Sequence, residues 1–243
     1  IIEQDLSYSY ERLNYLRSDL MSEFDRVYSI KKEGENSFFL TTKGGVIFFN
    51  VNTGESQVFV HDRNNPLKTI SNGFCRVSYR DSKGNLWFGT TEGLNILSKE
   101  NGVYQIAPHS MNKQILKASK NQITTICDDG HGNLYIGTFG SGVLFVDFKR
   151  NKVSVIDKNN GLPNNVVYGL LKDGNKLWMS TNRGIASYHI KSKEIESFKE
   201  VNGLLSNEFN TGAYFQSKSG ELYFGSIYGY NFFKPEKLKI QDA

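Results

Sequence analysis

The chain has 243 residues, which is enough to bury a sizeable core as one domain. Charged residues of both signs make up 22% of the sequence, a balance typical of a globular protein and not of a disordered one. The net charge of +4 is mild and the lysines are spread along the chain, so we expect no nucleic-acid partner. No run of about 18 apolar residues occurs, so we expect no membrane contact by this segment.

The only cysteines are Cys75 and Cys127. Two are too few for a disulfide framework, and each lies in a strand-like run, so both are predicted to be small buried side chains. The chain begins at Ile1 without a basic leader, and we expect either a mature chain or a part of a longer protein.

One short motif recurs along the sequence. It reads GNLWFGTTEGL at 84–94, GNLYIGT at 132–138, LWMSTNRGI at 177–185 and GELYFGS at 220–226, with a weaker first copy, FFLTTKGGV, at 38–46. The large ring of each copy is Phe38, Trp87, Tyr135, Trp178 or Tyr223, at spacings of 49, 48, 43 and 45. One large ring per repeat is suited to fill an interface between stacked sheets, so Trp87 and Trp178 are predicted to be buried there.

Each period divides into four strand-sized pieces. In the fourth copy these are 166–172, 177–181, 185–190 and 194–198, with turn residues at 173–175 and 182–184. No helical period interrupts them. Four short antiparallel strands every 43 to 49 residues predict an all-β fold, a β-propeller with five four-stranded blades visible. The rival folds, a β-helix and a β-sandwich, have shorter repeats or none.

The two ends of the sequence depart from the repeat. We expect 1–23 to be a lead-in segment, in which 7–10 could serve as a closing strand, 24–238 to form the blades, and 239–243 to begin a linker to a further domain. Pro235 follows the third strand of the last copy. Because proline cannot donate to a strand ladder, the fourth strand of that blade is predicted to be missing or broken.

The repeats resemble the two-component regulator propeller family. The resemblance is carried by GLPNN at 161–165, by the pattern Asp-x-x-Gly-Asn-Leu-Trp/Tyr-x-Gly-Thr at 81–90 and 129–138, and by a closing blade with GLLSNEFN at 203–210 and GYNFFKP at 229–235. The first copy departs from the pattern, with KEGEN at 32–36 in place of the Asp-Gly-Asn-Leu-Trp core.

The resemblance implies a sensor region of a hybrid two-component histidine kinase of the Bacteroidetes type. Such regions have propellers of about seven blades, lie in the periplasm and detect oligosaccharides, with the kinase further downstream. We therefore expect this chain to be part of a larger propeller in a membrane-anchored receptor, and not itself an enzyme.

The sequence gives no sign of catalytic chemistry. His61, His109, His131 and His189 are isolated, and neither a metal-ligand spacing, nor a nucleophile elbow, nor a phosphate-binding loop occurs, so we expect no catalytic residue, metal or cofactor. Asp128 and Asp129 are neighbours on a strand and should point to opposite faces, so Asp129 is interpreted as the first residue of a turn.

A binding surface is the more promising hypothesis. In a propeller the connections between blades and the turns between second and third strands lie on one face. That face should carry the candidate ligand-binding residues Arg183, Tyr228, Phe139, Asn182 and Glu92, because rings and planar polar groups suit sugars. Asn121, Asn165 and Asn207 precede first strands there, and the alternative for each is that it only caps a tight bend.

The predicted function is ligand sensing in a periplasmic signalling receptor, with an oligosaccharide as the expected partner. The alternatives are a propeller enzyme that acts on glycans and a protein-binding scaffold. If blades are missing, apolar rings on the end blades stay exposed, and the chain is expected to be either a closed ring or an open arc that self-associates.

Overall fold

The computed structural model describes residue 24 and residues 26–119 and 121–238 of the chain. The predicted lead-in segment, its closing strand at 7–10 and the predicted linker lie outside the described residues. Within 26–119 and 121–238, no helix is both long and apolar enough to cross a bilayer.

Five antiparallel sheets, the blades, follow one another along the chain. Blade one contains β1 (Val27–Lys32), β2 (Ser37–Thr42), β3 (Val46–Asn50) and β4 (Ser56–Phe59). Blade two contains β5 (Cys75–Arg80), β6 (Leu86–Thr90), β7 (Gly93–Glu100) and β8 (Val103–Pro108). Blade three contains β9 (Ile123–Asp128), β10 (Leu134–Thr138), β11 (Val143–Asp147) and β12 (Lys152–Ile156). Blade four contains β13 (Val167–Asp173), β14 (Lys176–Thr181), β15 (Gly184–His189) and β16 (Ile195–Phe198). Blade five has β17 (Phe209–Gln216), β18 (Leu222–Ser226) and β19 (Gly229–Phe233). The predicted β-propeller is therefore confirmed, and the four strands predicted for blade four match to within a few residues.

The core consists of apolar layers between neighbouring blades. The first strands β1, β5, β9, β13 and β17 contact one another in that order around the axis. Trp87 is 3% exposed and packs between blades two and three, and Trp178 is 1% exposed and packs between blades four and five. Both tryptophans are thus buried between blades, as predicted.

In blade one the buried aromatic residue of the second strand is Phe39, one position later than the predicted Phe38. In every blade a hydroxyl at the end of the second strand donates to the carbonyl of a glycine that begins or directly precedes the third strand. The donors are Thr42, Thr90, Thr138, Thr181 and Ser226. Phe39 stands three residues before Thr42, as Trp87 stands before Thr90, and Phe39 is fully buried. The prediction of Phe38 was wrong because two adjacent rings compete there and only the threonine fixes the register.

A short helix, α1 (Asn112–Ala118), joins blades two and three, where no helical pattern was expected. Its one buried side chain, Ile115, packs into the layer between these blades. A single buried residue leaves no period of 3.6 in the sequence, which explains the omission. The chain also has three-residue 3-10 turns at Lys158–Asn160, Glu200–Asn202 and Pro235–Lys237.

Blade five has three strands in the described residues, and Pro235 starts a 3-10 turn after the third, as the proline predicted. Its outward face is a ladder of rings. Tyr223 pairs in register with Phe215 and Phe232, and the Tyr223 and Phe232 rings are stacked with centroids 5.6 Å apart. Phe215 and Phe232 are 62% and 60% exposed. Tyr223 occupies the place that Trp178 fills in blade four, but its ring has no covering blade among the described residues.

The turn before each second strand explains a difference between the two tryptophans. Asp81 accepts hydrogen bonds from the amides of Lys83 and Asn85 and from Nε1 of Trp87, at 2.8 Å for the last. In blade four the turn is one residue shorter, and Nε1 of Trp178 is buried without a partner. The indole of Trp178 therefore stabilises the fold through packing and not through a hydrogen bond.

We expect Trp178→Ala to destabilise the chain by about 3–5 kcal/mol, because it opens a cavity between blades four and five. Urea unfolding followed by far-ultraviolet circular dichroism measures this. Val103→Ala, which shortens a side chain that is 63% exposed, is the control and should cost far less. Equal midpoints for the two variants would contradict the assignment of the blade interface.

We expect Gly184→Ala to cost clearly more stability than Gly203→Ala. Both glycines have φ of +96°, which costs an alanine about 1–2 kcal/mol in either place. A Cβ on Gly184 would also stand 2.1 Å from the Phe198 carbonyl oxygen, whereas nothing lies within 4 Å of one on Gly203. The same unfolding assay measures both, and similar losses would show that the close approach has no energetic weight.

Candidate ligand-binding face

The turns between second and third strands and the connections between blades share one face, here called the connection face. It consists of the turns at 91–92, 139–142, 182–183 and 227–228 and the connections at 157–166 and 199–208. The amide of Gly142 donates to the carbonyl of Asn165 at 2.8 Å, and that of Gly184 to the carbonyl of Asn207 at 2.7 Å. These bonds hold each turn against the next connection, so the predicted topology of this face is confirmed.

The asparagines that precede the first strands fold the connections. Oδ1 of Asn165 accepts the amide of Lys158 at 2.9 Å, and Oδ1 of Asn207 accepts the amide of Glu200 at 3.0 Å. Asn121 instead donates from Nδ2 to the hydroxyl of Ser141 at 2.7 Å. For Asn165 and Asn207 the alternative interpretation, that they cap a bend, is therefore confirmed.

Two of the five predicted ligand-binding residues are brought together through a residue that sequence reasoning missed. The Phe139 ring is 50% exposed, and its centroid lies 6.3 Å from that of Tyr168. The Tyr168 hydroxyl donates to Oδ1 of Asn182 at 3.2 Å. We call Phe139, Tyr168 and Asn182 the aromatic cluster. It lies where blades three and four meet.

Tyr168 is held as a hydrogen-bond donor. Burial raises the pKa of its phenol, and the negative charge of Glu208 raises it further. The phenol therefore stays protonated over the physiological pH range. The sequence has no signal for Tyr168, because this residue lies at the register shift of β13 between Val167 and Gly169, where the alternation of faces along the strand is interrupted.

The other three predicted residues lie apart from this cluster. The carboxylate of Glu92 accepts a hydrogen bond from Nδ2 of Asn72 at 3.2 Å within blade two. Arg183 is exposed, and its amide donates to the hydroxyl of Thr181. Tyr228 is 76% exposed on the turn of blade five. None of the contacts found among the described residues joins these three side chains to the aromatic cluster.

The aromatic cluster has the features of a polar platform for binding. An exposed ring can cover the apolar face of a sugar, and a phenol and an amide can exchange hydrogen bonds with hydroxyl groups. The described residues contain no group of three His, Cys, Asp or Glu side chains able to hold a metal ion. Asp129 accepts from the amides of His131 and Asn133 and thus begins a turn, as predicted.

Both cysteines are buried and unpaired, as predicted. Burial is the largest effect on Cys127, and it raises the pKa of that thiol to about 12. The thiol therefore stays protonated and is unsuited to act as a nucleophile.

Comparison with known proteins identifies the repeats. Residues 69–92, 118–140 and 161–183 match the family described as two component regulator propeller. Each match covers the entry into a blade and its first two strands, in blades two, three and four. The chain is thus a β-propeller, and blades two, three and four match the two component regulator propeller model that the resemblance predicted.

Three of the similar proteins are a histidine kinase and the extracellular domains of two-component systems. The chain is 28% identical over 223 residues to Histidine kinase P4 of Formosa agariphila, a match that covers 89% of this chain but 16% of that protein. It is 25% identical to the extracellular domain of the hybrid two component system BT3049 of B. thetaiotaomicron, with a TM-score of 0.70 over 86% of this chain and 28% of that one. The extracellular domain of BT4673 of B. thetaiotaomicron has the same fold, at 17% identity and a TM-score of 0.68 over 90% of this chain and 32% of that one.

Proposed function

We propose that this chain is part of a ligand-sensing propeller in the extracytoplasmic region of a two-component receptor, and that its ligand is an oligosaccharide. The match of blades two, three and four to two-component regulator propeller repeats carries the assignment to signalling. Histidine kinase P4 and the BT3049 system support it, although the chain spans less than a third of either relative. The extracellular placement of the BT3049 domain supports a periplasmic location for this chain.

The aromatic cluster supports the saccharide. Phe139 offers half of its ring to solvent on a face where no packing requirement explains it, and Asn182 is exposed beside it. A sugar ring could stack on Phe139 while its hydroxyls reach Asn182 and Tyr168. Arg183 lies in the same turn as Asn182, and Tyr228 in the equivalent turn of blade five, so both remain proposed contacts at the edge of the site. Glu92, held by Asn72, is proposed as a more distant one.

We expect the double variant Phe139→Ala, Asn182→Ala to bind a cognate oligosaccharide at least about tenfold more weakly. The loss of ring stacking and of one hydrogen bond together amounts to about 1.4 kcal/mol or more, which is tenfold in affinity. A glycan array identifies the ligand, and calorimetry measures the affinity. Val103→Ala, an exposed position on β8, is the control and should leave the affinity unchanged.

The same calorimetry on Arg183→Ala, Tyr228→Ala tests the two proposed edge contacts, which we expect to contribute less. Unchanged affinity in both double variants would remove the connection face from the site. Prolonged incubation of the bound glycan with the chain separates the alternatives, because an enzyme releases product and a sensor returns the ligand intact. Failure of every glycan to bind, with capture of a protein instead, would favour the scaffold.

We also propose that the chain associates with itself through the outward face of blade five, where Phe215, Tyr223 and Phe232 form the ring ladder. Exposed apolar patches of this kind drive association. Light scattering should therefore give a mass above that of one chain, and Phe232→Lys should lower it. Lys218→Glu, on the exposed turn between β17 and β18, is the control. A compact monomer for the unaltered chain would contradict the proposal.

A further inference from the structure

A second candidate site lies inside the propeller, on the axis. A cavity of about 410 Å³ is lined mainly by first strands of blades one, two, three and five. Its volume falls within the range of about 300–1,000 Å³ that small-molecule sites occupy. The aromatic cluster is not part of its lining.

The cavity is positively charged. Lys31 of β1 and Arg76 of β5 line it, and its lining among the described residues includes no carboxylate. The acidic residue that follows β1, Glu33, forms an ion pair with Arg80. That carboxylate is therefore engaged elsewhere, and the charges of Lys31 and Arg76 have no partner of opposite sign in the lining.

The guanidinium of Arg76 packs against two aromatic rings. Its guanidinium carbon lies 5.2 Å from the centroid of the Tyr28 ring and 5.4 Å from that of Phe74. These two rings fix the plane of the guanidinium by cation–π contact. Its Nε is buried and has no hydrogen-bond partner. Buried donors are nearly always satisfied in folded proteins, and this one has no acceptor among the described residues.

Serine and threonine residues also line the cavity. Ser29 of β1 and Ser78 of β5 are hydrogen-bonded to each other at 2.8 Å, and Thr124 and Thr211 complete the set. The strands β1 and β5 run in the same direction, because their contacts follow the same order along both. The Tyr28 ring contacts Arg76, the Ser29 hydroxyl is hydrogen-bonded to that of Ser78, and the Lys32 carbonyl accepts a hydrogen bond from Arg80. Arg76 is therefore near the connection face, and Lys31 lies deeper along the axis.

We propose that this cavity binds an acidic saccharide, with a carboxylate or sulfate on Arg76 and the sugar hydroxyls on the serine and threonine hydroxyls. The planar fork of an arginine matches such oxyanions in a bidentate way. Lys31 adds a second positive charge below. This inference rests on the proposed function, since it names the chemical class of the saccharide that the chain senses.

The pKa of Lys31 should respond to an anion in the cavity. Burial, and then the charge of Arg80, lower the pKa of its ammonium group below the ordinary value. An anion in the cavity would oppose both effects by favouring the charged form.

Calorimetry of the 243-residue chain at fixed ionic strength tests the proposal, with sodium glucuronate, glucose and sodium sulfate as probes. We expect glucuronate to bind, glucose to bind far more weakly, and sulfate to compete with glucuronate. Arg76→Gln should weaken glucuronate binding about tenfold or more, because a hydrogen bond to a charged group is lost. Lys31→Gln should weaken it less, and Lys218→Gln, the same charge change on an exposed turn, should leave it unchanged.

Arg76→Lys is the control for a folding defect, because it keeps the positive charge but loses the planar guanidinium. We expect this variant to bind glucuronate with intermediate affinity and to unfold at the same urea concentration as the unaltered chain. The inference is overturned if glucuronate fails to bind. It is also overturned if Arg76→Gln and Lys31→Gln bind glucuronate with equal affinity. If a neutral oligosaccharide still binds through the aromatic cluster in that case, the proposed function stands without the axial site. If no saccharide binds at all, both fail.

Discussion

The architecture depends on the close approach of two backbone segments at the start of the third strand in blades one, three and four, where a Cβ on Gly45, Gly142 or Gly184 would stand 2.1 to 2.2 Å from a carbonyl oxygen of the fourth strand. In blade four the amide of Gly184 donates to the carbonyl of Asn207 at 2.7 Å, and a Cβ on that glycine would collide with the carbonyl of Phe198. Only a residue without a side chain lets the end of the fourth strand and the following connection pass so near. Gly142 and Asn165 form the same bond one blade earlier, so the turns of blades three and four each fix the entry to the next blade.

Blade two solves the same problem with a side chain. Oδ1 of Asn112, at the start of α1, accepts the amide of Leu94 at 2.8 Å, and its Nδ2 donates to the carbonyl of Glu92 at 3.2 Å. The helix thus takes the place of the connection that lies against the turn in blades three and four. Asn121, which precedes the first strand of blade three, therefore does not hold the turn of blade two. Its side chain donates a hydrogen bond to Ser141 instead.

Sequence reasoning predicted the repeated elements better than most features that occur once. Strand positions followed from the recurrence of a ring, a threonine and a glycine at one period, and the break at Pro235 followed from its missing amide. The register of Phe39 needed the hydrogen bond of Thr42, which no pattern displays. Tyr168 was missed because the alternation of faces is interrupted at its register shift, and its contact with Phe139 depends on the angle between two blades.

The axis and the connection face differ in how many blades a ligand would join. The strand β17 is irregular between Phe209 and Tyr214, and this carries the Tyr214 ring over Gly169, where any Cβ would stand 2.5 Å from it. The phenol oxygen of Tyr214 then accepts a hydrogen bond from Thr125 at 2.8 Å. Blade five is thereby linked to blade three across blade four, and Tyr214 forms one wall of the axial cavity.

A ligand on the aromatic cluster would contact two adjacent blades, but a ligand on the axis would contact four. Because a conformational change can be driven only by interactions that differ between two states, the axial site is the better placed of the two to couple binding to the arrangement of the blades.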